Sequence, residues 1–111
     1  MEEYSIHNVD FGVGEGHEQS YPRPAIVFKI INELGMCIVI PLTSNMNHLS
    51  LPYTVQINKT GYTNLREDSV ALVFQIRAID KARMTGSRIG KAEEYQVNKI
   101  KNVMKEMLAI D

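Results

Sequence analysis

The residues best suited to chemistry lie in a glycine-punctuated loop, Gly14–Pro24, which reads GEGHEQSYPRP. This loop carries a histidine, a carboxylate, an amide and an arginine, and a strongly apolar run follows it at once. A second polar group, Leu42–Asn47, comes directly after the next apolar run. A strand fixes what the adjoining loop presents, so polar loops beside strands are suited to form a site. If the two apolar runs pair as neighbouring strands, Arg23 and Thr43 need not be far apart.

Several familiar chemistries have no support in the motifs. The alternating glycines of the loop are not followed by G-K-[ST], so a phosphate-binding nucleotide loop is not expected. No G-x-S-x-G motif is present for a serine hydrolase. The sequence has no C-x-x-C, no H-E-x-x-H and no clustered carboxylates near its three histidines, which are His7, His17 and His48. We therefore expect no metal site and no cofactor.

The remaining side chains suit metal-free cleavage of RNA by its own 2′-hydroxyl. Such cleavage needs one group to take the 2′ proton, one to stabilise charge on phosphorus and one to protonate the 5′ oxygen. Arg23 suits the phosphate, because a guanidinium is a fixed fork of donors. His17 titrates in the right range, and Glu18 could orient or accept a proton. Thr43 or Ser44 could donate to a non-bridging oxygen. Taken alone, polar loop residues of this kind are more often solvated and idle than functional.

Length and composition describe an ordinary globular chain. With 111 residues we expect a single domain, 1–111. A net charge of −1 argues against a generally sticky nucleic-acid binder but allows a local basic groove. No apolar stretch is long enough to span a membrane, and the N-terminus does not resemble a signal peptide. The single cysteine, Cys37, falls within an apolar strand pattern, which predicts a buried, inert thiol and a cytoplasmic protein.

Most of the chain is typical of β-structure. Two runs dense in Ile and Val flank Gly35 and predict a hairpin, and Pro41 should end the second run or place it at an edge. Continuous apolarity over Ser69–Ile79 predicts the longest strand, covered on both faces. The other predicted strands are Ile6–Phe11, Ala25–Leu34, Met36–Leu42 and Tyr53–Asn58.

Only the C-terminal segment has a helical period. Apolar residues at i, i+3 and i+4 spacing predict a helix over about residues 91–110, with Gly90 as its boundary. We interpret Met104 and Met107 within this stripe as core residues. Five or six short strands and one terminal helix predict a mainly β protein, a small, closed, SH3-like β-barrel capped by that helix.

Three segments in this order resemble the MazF/PemK (Kid-like) family of toxin endoribonucleases. They are G-H-E-Q-x-x-x-R-P at Gly16–Pro24, P-L-T-S at Pro41–Ser44, and S-V-x-L-x-x-Q-I-R-x-I-D-x-x-R at Ser69–Arg83. The resemblance implies the toxin of a type II toxin–antitoxin system with a MazF/CcdB-type barrel. It also implies a homodimer that cleaves single-stranded RNA without metal, leaving 2′,3′-cyclic phosphate and 5′-hydroxyl ends. The implied partners are this RNA and a cognate antitoxin, with operator DNA bound only together with the antitoxin.

The resemblance assigns roles to individual residues. Arg23 matches the family's R-P arginine and Thr43 the threonine that ends the third strand, the two residues on which the MazF branch depends for cleavage. Glu18 matches the acid of the loop, and His17 stands where the Kid branch has an active-site histidine. The catalytic set implied is therefore Arg23, Thr43, His17 and Glu18. The RNA-binding set implied is Gln19, Tyr21, Ser44, Gln75 and Arg77.

Some positions depart from the family pattern or leave alternatives open. The chain opens with two acidic residues instead of the usual basic segment, and Leu72 and Phe74 replace an acid–base pair of the Kid branch. Tyr21 could stack on a base or merely cover the barrel mouth, and Arg77 could line the RNA groove or form a salt bridge with Asp80 or Glu67.

Two rival functions use the same fold. One is a CcdB-like toxin that binds gyrase without catalysis, for which residues 107–111 would be essential. The other is a catalytically silent relative that binds only RNA or antitoxin. For a ribonuclease, we expect the bases to be read by the loops Asn45–Pro52 and Lys59–Arg66.

Overall fold

The structure, a computed structural model, describes residues 1–12 and 22–110. His17, Glu18, Gln19 and Tyr21 lie outside the described residues. The described chain is mainly β with one C-terminal helix, which confirms the predicted fold class. Its elements are β1 (Ser5–Val9), β2 (Arg23–Ile31), β3 (Met36–Thr43), β4 (Thr54–Ile57), β5 (Ser69–Leu72), β6 (Arg77–Asp80), β7 (Met84–Lys91) and α1 (Glu94–Met107).

The strands form one antiparallel sheet in the order β4-β5-β3-β2-β1-β7, with β6 also paired to β3. In the described part of the chain the two end strands, β4 and β7, do not pair with each other. The fold is therefore barrel-like, but hydrogen bonds do not close the sheet.

The predicted hairpin is formed by β2 and β3. Its connection is a short 3₁₀ turn, Asn32–Leu34, followed by Gly35 at φ +63°, a conformation that glycine adopts without strain. Next to the turn, Ile31 lies opposite Met36, whereas at the other end Ala25 lies opposite Pro41. The register shifts by one residue between Val27 and Lys29, because β2 carries an extra residue, a β-bulge.

The segment predicted as one long strand, Ser69–Ile79, is instead two strands. A 3₁₀ turn at Val73–Gln75 separates β5 from β6, and both strands pair with the same edge of β3. The interruption lies opposite Ile40 and Pro41, the part of β3 between the two ladders. Proline cannot donate a ladder hydrogen bond, so the partner strand leaves the sheet there. Pro41 thus interrupts one ladder, although β3 itself continues to Thr43.

The seventh strand, β7, is absent from the predicted elements, and Lys91, which the helical pattern included, belongs to it. Half of the β7 residues are exposed, and its sequence lacks the apolar alternation by which strands are recognised. The helix begins three residues later, at Glu94. There Glu93 and Gln96 form a capping box, each side chain hydrogen-bonding the backbone of the other.

Two apolar clusters cover opposite faces of the sheet around β1, β2 and β3. The helix-side cluster joins Ile26, Ile40, Val97 and Ile100, and Met104 and Met107 pack against it as predicted. The far-side cluster joins residues that alternate with these along the same strands, namely Val9, Phe11, Ala25, Val27, Cys37, Val39 and Ile79. Burial on both faces explains why these strands read as continuous apolar runs. Among the described residues, no helix has the length and apolarity needed to cross a membrane.

Candidate active site

Arg23 and Thr43 lie at the same end of the β2–β3 hairpin. Arg23 is the first residue of β2 and Thr43 the last of β3. The last pair of this ladder is Ala25 opposite Pro41, and each strand continues two residues beyond it. When this antiparallel register is extended by two residues along each strand, Arg23 falls opposite Thr43 and on the same face of the sheet. This confirms that the two runs are neighbouring strands, with Arg23 and Thr43 at the same end of the hairpin.

Each of the two side chains has a donor left for a ligand. The Nε of Arg23 is buried and has no hydrogen-bond partner among the described residues. The Thr43 side chain is buried, and its Oγ1 accepts a hydrogen bond from the backbone N–H of Asn45 at 3.2 Å. A hydroxyl that accepts in this way still has its own hydrogen to donate. A guanidinium N–H and a hydroxyl O–H at one strand end are suited to an anion such as phosphate.

Arg77 belongs to the same face. It lies opposite Val39 on β3, which shares a face with Thr43, and its guanidinium sits 5.6 Å from the centre of the Phe11 ring. Phe11 follows β1 by two residues, and the β1 terminus, Val9, lies opposite Arg23. Arg77 is exposed and forms no ion pair with Asp80, Glu67 or another described residue. The salt bridge considered for Arg77 is therefore not observed among the described residues. The guanidinium of Arg77 instead contacts the ring of Phe11.

A cavity of about 580 Å³ adjoins this strand end on the other face of the sheet. Pro24 and Ser44, the chain neighbours of Arg23 and Thr43, both line it. The remaining lining residues come from β1, from the segment before β5, from the first position of β5 and from β7: Asn8, Asn64, Leu65, Arg66, Glu67, Ser69 and Ile89. The predicted readout loop Lys59–Arg66 thus contributes to the cavity. Among the described residues, none from Asn45–Pro52 lines it.

The wall of this cavity is held by an internal network. Thr63 is fully buried, and its Oγ1 donates to the carbonyl oxygen of Asn58 at 2.9 Å and accepts from the N–H of Thr60 at 2.9 Å. Asn64, at φ +54°, donates from its amide to the carbonyl of Ile89 at 2.9 Å. A non-glycine residue at positive φ costs energy, so surrounding contacts must impose it.

His7 lies next to the site on β1, opposite Ala25, and is buried. Its Nε2 is 3.1 Å from Ser5 Oγ, whose own hydrogen is donated to the carbonyl of Glu2, so Nε2 carries the proton and donates. Burial lowers the pKa of His7, with smaller contributions from the positive charges of the N-terminus and Arg88. Burial therefore favours the neutral imidazole over the charged one.

The chain matches the family described as PemK-like, MazF-like toxin of type II toxin–antitoxin system over residues 2–108. It belongs to that family.

Two curated relatives of this toxin are endoribonucleases by name. Endoribonuclease EndoA of Bacillus subtilis strain 168 is 30% identical over 110 residues, covering 95% of this chain and 91% of the relative. Endoribonuclease MazF of Staphylococcus saprophyticus is 33% identical over 89 residues, covering 76% of this chain and 72% of the relative.

Solved structures share the fold of this toxin. MazF of Deinococcus radiodurans superposes with a TM-score of 0.81 at 19% identity, covering 99% of this chain and 97% of that one. A mycobacterial endoribonuclease in complex with its cognate antitoxin gives a TM-score of 0.74 at 15% identity, with 98% and 95% covered.

Within this MazF-like toxin, the described members of the predicted site fall into three places. Arg23, Thr43 and Arg77 share the far-side face, and Ser44 lines the cavity on the other face. Gln75 ends the 3₁₀ turn before β6. The sequence analysis did not assign Phe11, Asn8 or Glu67 to the site. It considered Glu67 only as a salt-bridge partner of Arg77, although Glu67 directly follows the predicted readout loop.

Proposed function

We propose that this toxin is an endoribonuclease that cleaves single-stranded RNA without a metal ion and binds the scissile phosphate between Arg23 and Thr43. The observation that supports the site is the buried Nε of Arg23, which lacks a partner among the described residues, opposite the Thr43 hydroxyl. The endoribonuclease relatives support the activity.

In the proposed reaction the 2′-hydroxyl of one nucleotide attacks the adjacent phosphorus. The new bond is 2′-O–P, the bond that breaks is P–O5′, and the products are a 2′,3′-cyclic phosphate and a free 5′-hydroxyl. Negative charge builds on the non-bridging oxygens during attack, and donors placed before the reaction stabilise it most. The Arg23 guanidinium and the Thr43 hydroxyl supply those donors.

Two protons must also move. The 2′ proton leaves as the bond to phosphorus forms, and the departing 5′ oxygen takes one up. Arg23 is unsuited to either transfer, because a guanidinium does not give up its proton in proteins. The buried His7 already hydrogen-bonds Ser5 through its Nε2. We assign one transfer to His17 or Glu18, which belong to the loop that leads into Arg23.

For partners, we propose a homodimer and a cognate antitoxin that blocks the RNA site, in line with the antitoxin complexes solved for proteins of this fold. Operator DNA would be bound only together with that antitoxin. We place the toxin in the cytoplasm, where its RNA is found and where a reduced, buried Cys37 is stable.

The decisive experiment is cleavage of a mixed RNA pool in excess EDTA by wild type, Arg23→Ala and Arg23→Lys. Wild type should cut and leave 5′-hydroxyl ends, and Arg23→Ala should lose the activity. Arg23→Lys should recover little, because an ammonium lacks the two-pronged fit to phosphate. Lys99→Ala on α1 removes the same charge far from the site and should cut normally. Cleavage that EDTA abolishes and Mg²⁺ restores would contradict the proposal.

The gyrase-binding alternative makes the opposite prediction. Truncation after Leu108 should abolish toxicity while Arg23→Ala leaves it intact. The ribonuclease proposal expects Arg23→Ala to abolish toxicity in cells at equal protein levels.

A further inference from the structure

The cavity beside Arg23 and Thr43 combines apolar walls with polar groups that have no assigned task. Pro24, Leu65 and Ile89 supply apolar surface, and its volume of about 580 Å³ is in the range of small-molecule sites. Arg66 and Glu67 both line it and are exposed, and neither forms an ion pair with any described residue. Charged side chains that line a pocket and form no ion pair are available to bind a ligand.

The position of the cavity relative to the proposed phosphate site restricts that ligand. Pro24 and Ser44 are one residue from Arg23 and Thr43, and Pro24, as a consecutive residue of β2, points to the face opposite Arg23. A nucleotide whose phosphate lies at Arg23 can therefore reach the cavity by passing round the end of the sheet. Proteins that read single-stranded RNA hold bases splayed out in this way.

The charges of the cavity indicate which base it takes. A carboxylate near a polyanion is unfavourable unless it accepts hydrogen bonds from a base. Guanine presents two adjacent acceptors, O6 and N7, and donors on N1 and N2, which match a guanidinium and a carboxylate respectively. We propose that the cavity binds one guanine next to the scissile phosphate, with Arg66 on its acceptors and Glu67 on its donors.

The wall that carries these two residues is built to stay in place. Asn64 is tied to the Ile89 carbonyl, and the Lys91 N–H donates to the carbonyl of Tyr62 at 3.1 Å. These bonds fix the segment before Arg66 to β7. Selection of one base requires such a rigid wall, because a mobile side chain would adapt to all four.

This proposal rests on the proposed ribonuclease activity. The test is to sequence the cut sites of wild type, Glu67→Gln and Arg66→Ala in a random RNA pool, then to measure rates on two RNAs that differ only at the selected guanine. Wild type should prefer the guanine RNA, and each variant should lower the preference by about tenfold. Glu106→Gln on α1 makes the same chemical change elsewhere and should keep the preference.

The outcomes separate the two proposals. If wild type cuts no RNA, the ribonuclease proposal fails. If wild type cuts but has no guanine at a fixed position beside the cut, or if both variants keep the wild-type preference, the guanine pocket is wrong while the ribonuclease stands. A loss of preference with cutting retained on the RNA lacking guanine supports the pocket.

Discussion

Gly90 in β7 packs directly against the backbone of Thr63. A Cβ at position 90 would overlap the carbonyl oxygen of Thr63 and lie 2.8 Å from that of Tyr62. Both neighbours are backbone atoms within the network that holds the cavity wall, so they have little freedom to give way. The loop that carries Thr63 can therefore approach β7 this closely only because residue 90 is glycine.

We expect Gly90→Ala to lower the free energy of unfolding by about 1–3 kcal/mol, the usual cost of overpacking. Gly61→Ala is the matched control, because no atom lies within 4 Å of its added Cβ, and its effect should stay within about 0.5 kcal/mol. Chemical denaturation of the two variants measures the difference. Equal stability of the two would show that the loop moves freely away from β7.

Thr43→Val should lower kcat about 10²–10³-fold, since it removes a donor to the developing charge on phosphate and keeps the side-chain shape. The Asn45 N–H loses its acceptor, but Asn45 is exposed and water can replace it. Thr43→Ser keeps the hydroxyl and should retain most of the activity. Single-turnover cleavage separates the chemical step from binding, and an unchanged rate in Thr43→Val would remove Thr43 from the mechanism.

Arg77→Ala should weaken RNA binding more than it weakens the fold. Its contact with Phe11 is exposed and contributes about 0.5–1 kcal/mol, whereas a lost phosphate contact flattens the dependence of log affinity on log salt by about 0.7. Lys99 makes a similar contact with Tyr95 on α1, 5.7 Å from the ring centre. Lys99→Ala should therefore leave the salt dependence unchanged. If the slope of log affinity against log salt is the same in Arg77→Ala as in wild type, Arg77 has only a structural role.

The stability of the fold should fall as the pH drops below the ordinary pKa of histidine, about 6.5. Burial lowers the pKa of His7 in the folded protein, so the unfolded chain binds the extra proton more readily. The stabilisation that comes from neutral His7 is complete above the pKa of this residue in the unfolded chain. It is lost as the pH falls through the pKa of His7 in the folded protein. His7→Gln can still donate to Ser5 and should show a weaker fall. Unfolding curves from pH 5 to 8 measure it, and an identical slope in His7→Gln would exclude His7 as its source.

Cys37 should resist alkylation in the native protein. It is fully buried in the far-side cluster, and burial foremost raises the pKa of its thiol, so little thiolate is present at neutral pH. Iodoacetamide labelling should be slow in buffer and rapid in denaturant. Rapid labelling of the native protein would indicate that the far-side cluster opens readily.

The parts that the sequence predicted well are those where burial shapes the pattern. The β2–β3 hairpin follows from dense Ile and Val around Gly35, and Arg23 and Thr43 were expected at its open end because strands fix their flanking residues. The β7 strand was missed because it is an edge strand with only one buried residue, so packing places few demands on residue type there. The break at Val73–Gln75 depends on Pro41, a residue distant in sequence, so local apolarity could not reveal it.

The extra residue in β2 determines which side chain faces Arg23. Near the turn the register pairs Ile31 with Met36. Beyond the bulge it is shifted by one residue, so that Ala25 pairs with Pro41 and not with Leu42. Without the bulge, the same turn would set Arg23 opposite Ser44, whose side chain belongs to the other face of the sheet. The pairing of Arg23 with Thr43 thus depends on the number of residues in the turn and in the β2 bulge. A relative or a designed variant with a different turn length would need a compensating insertion or deletion in β2 or β3 to keep it.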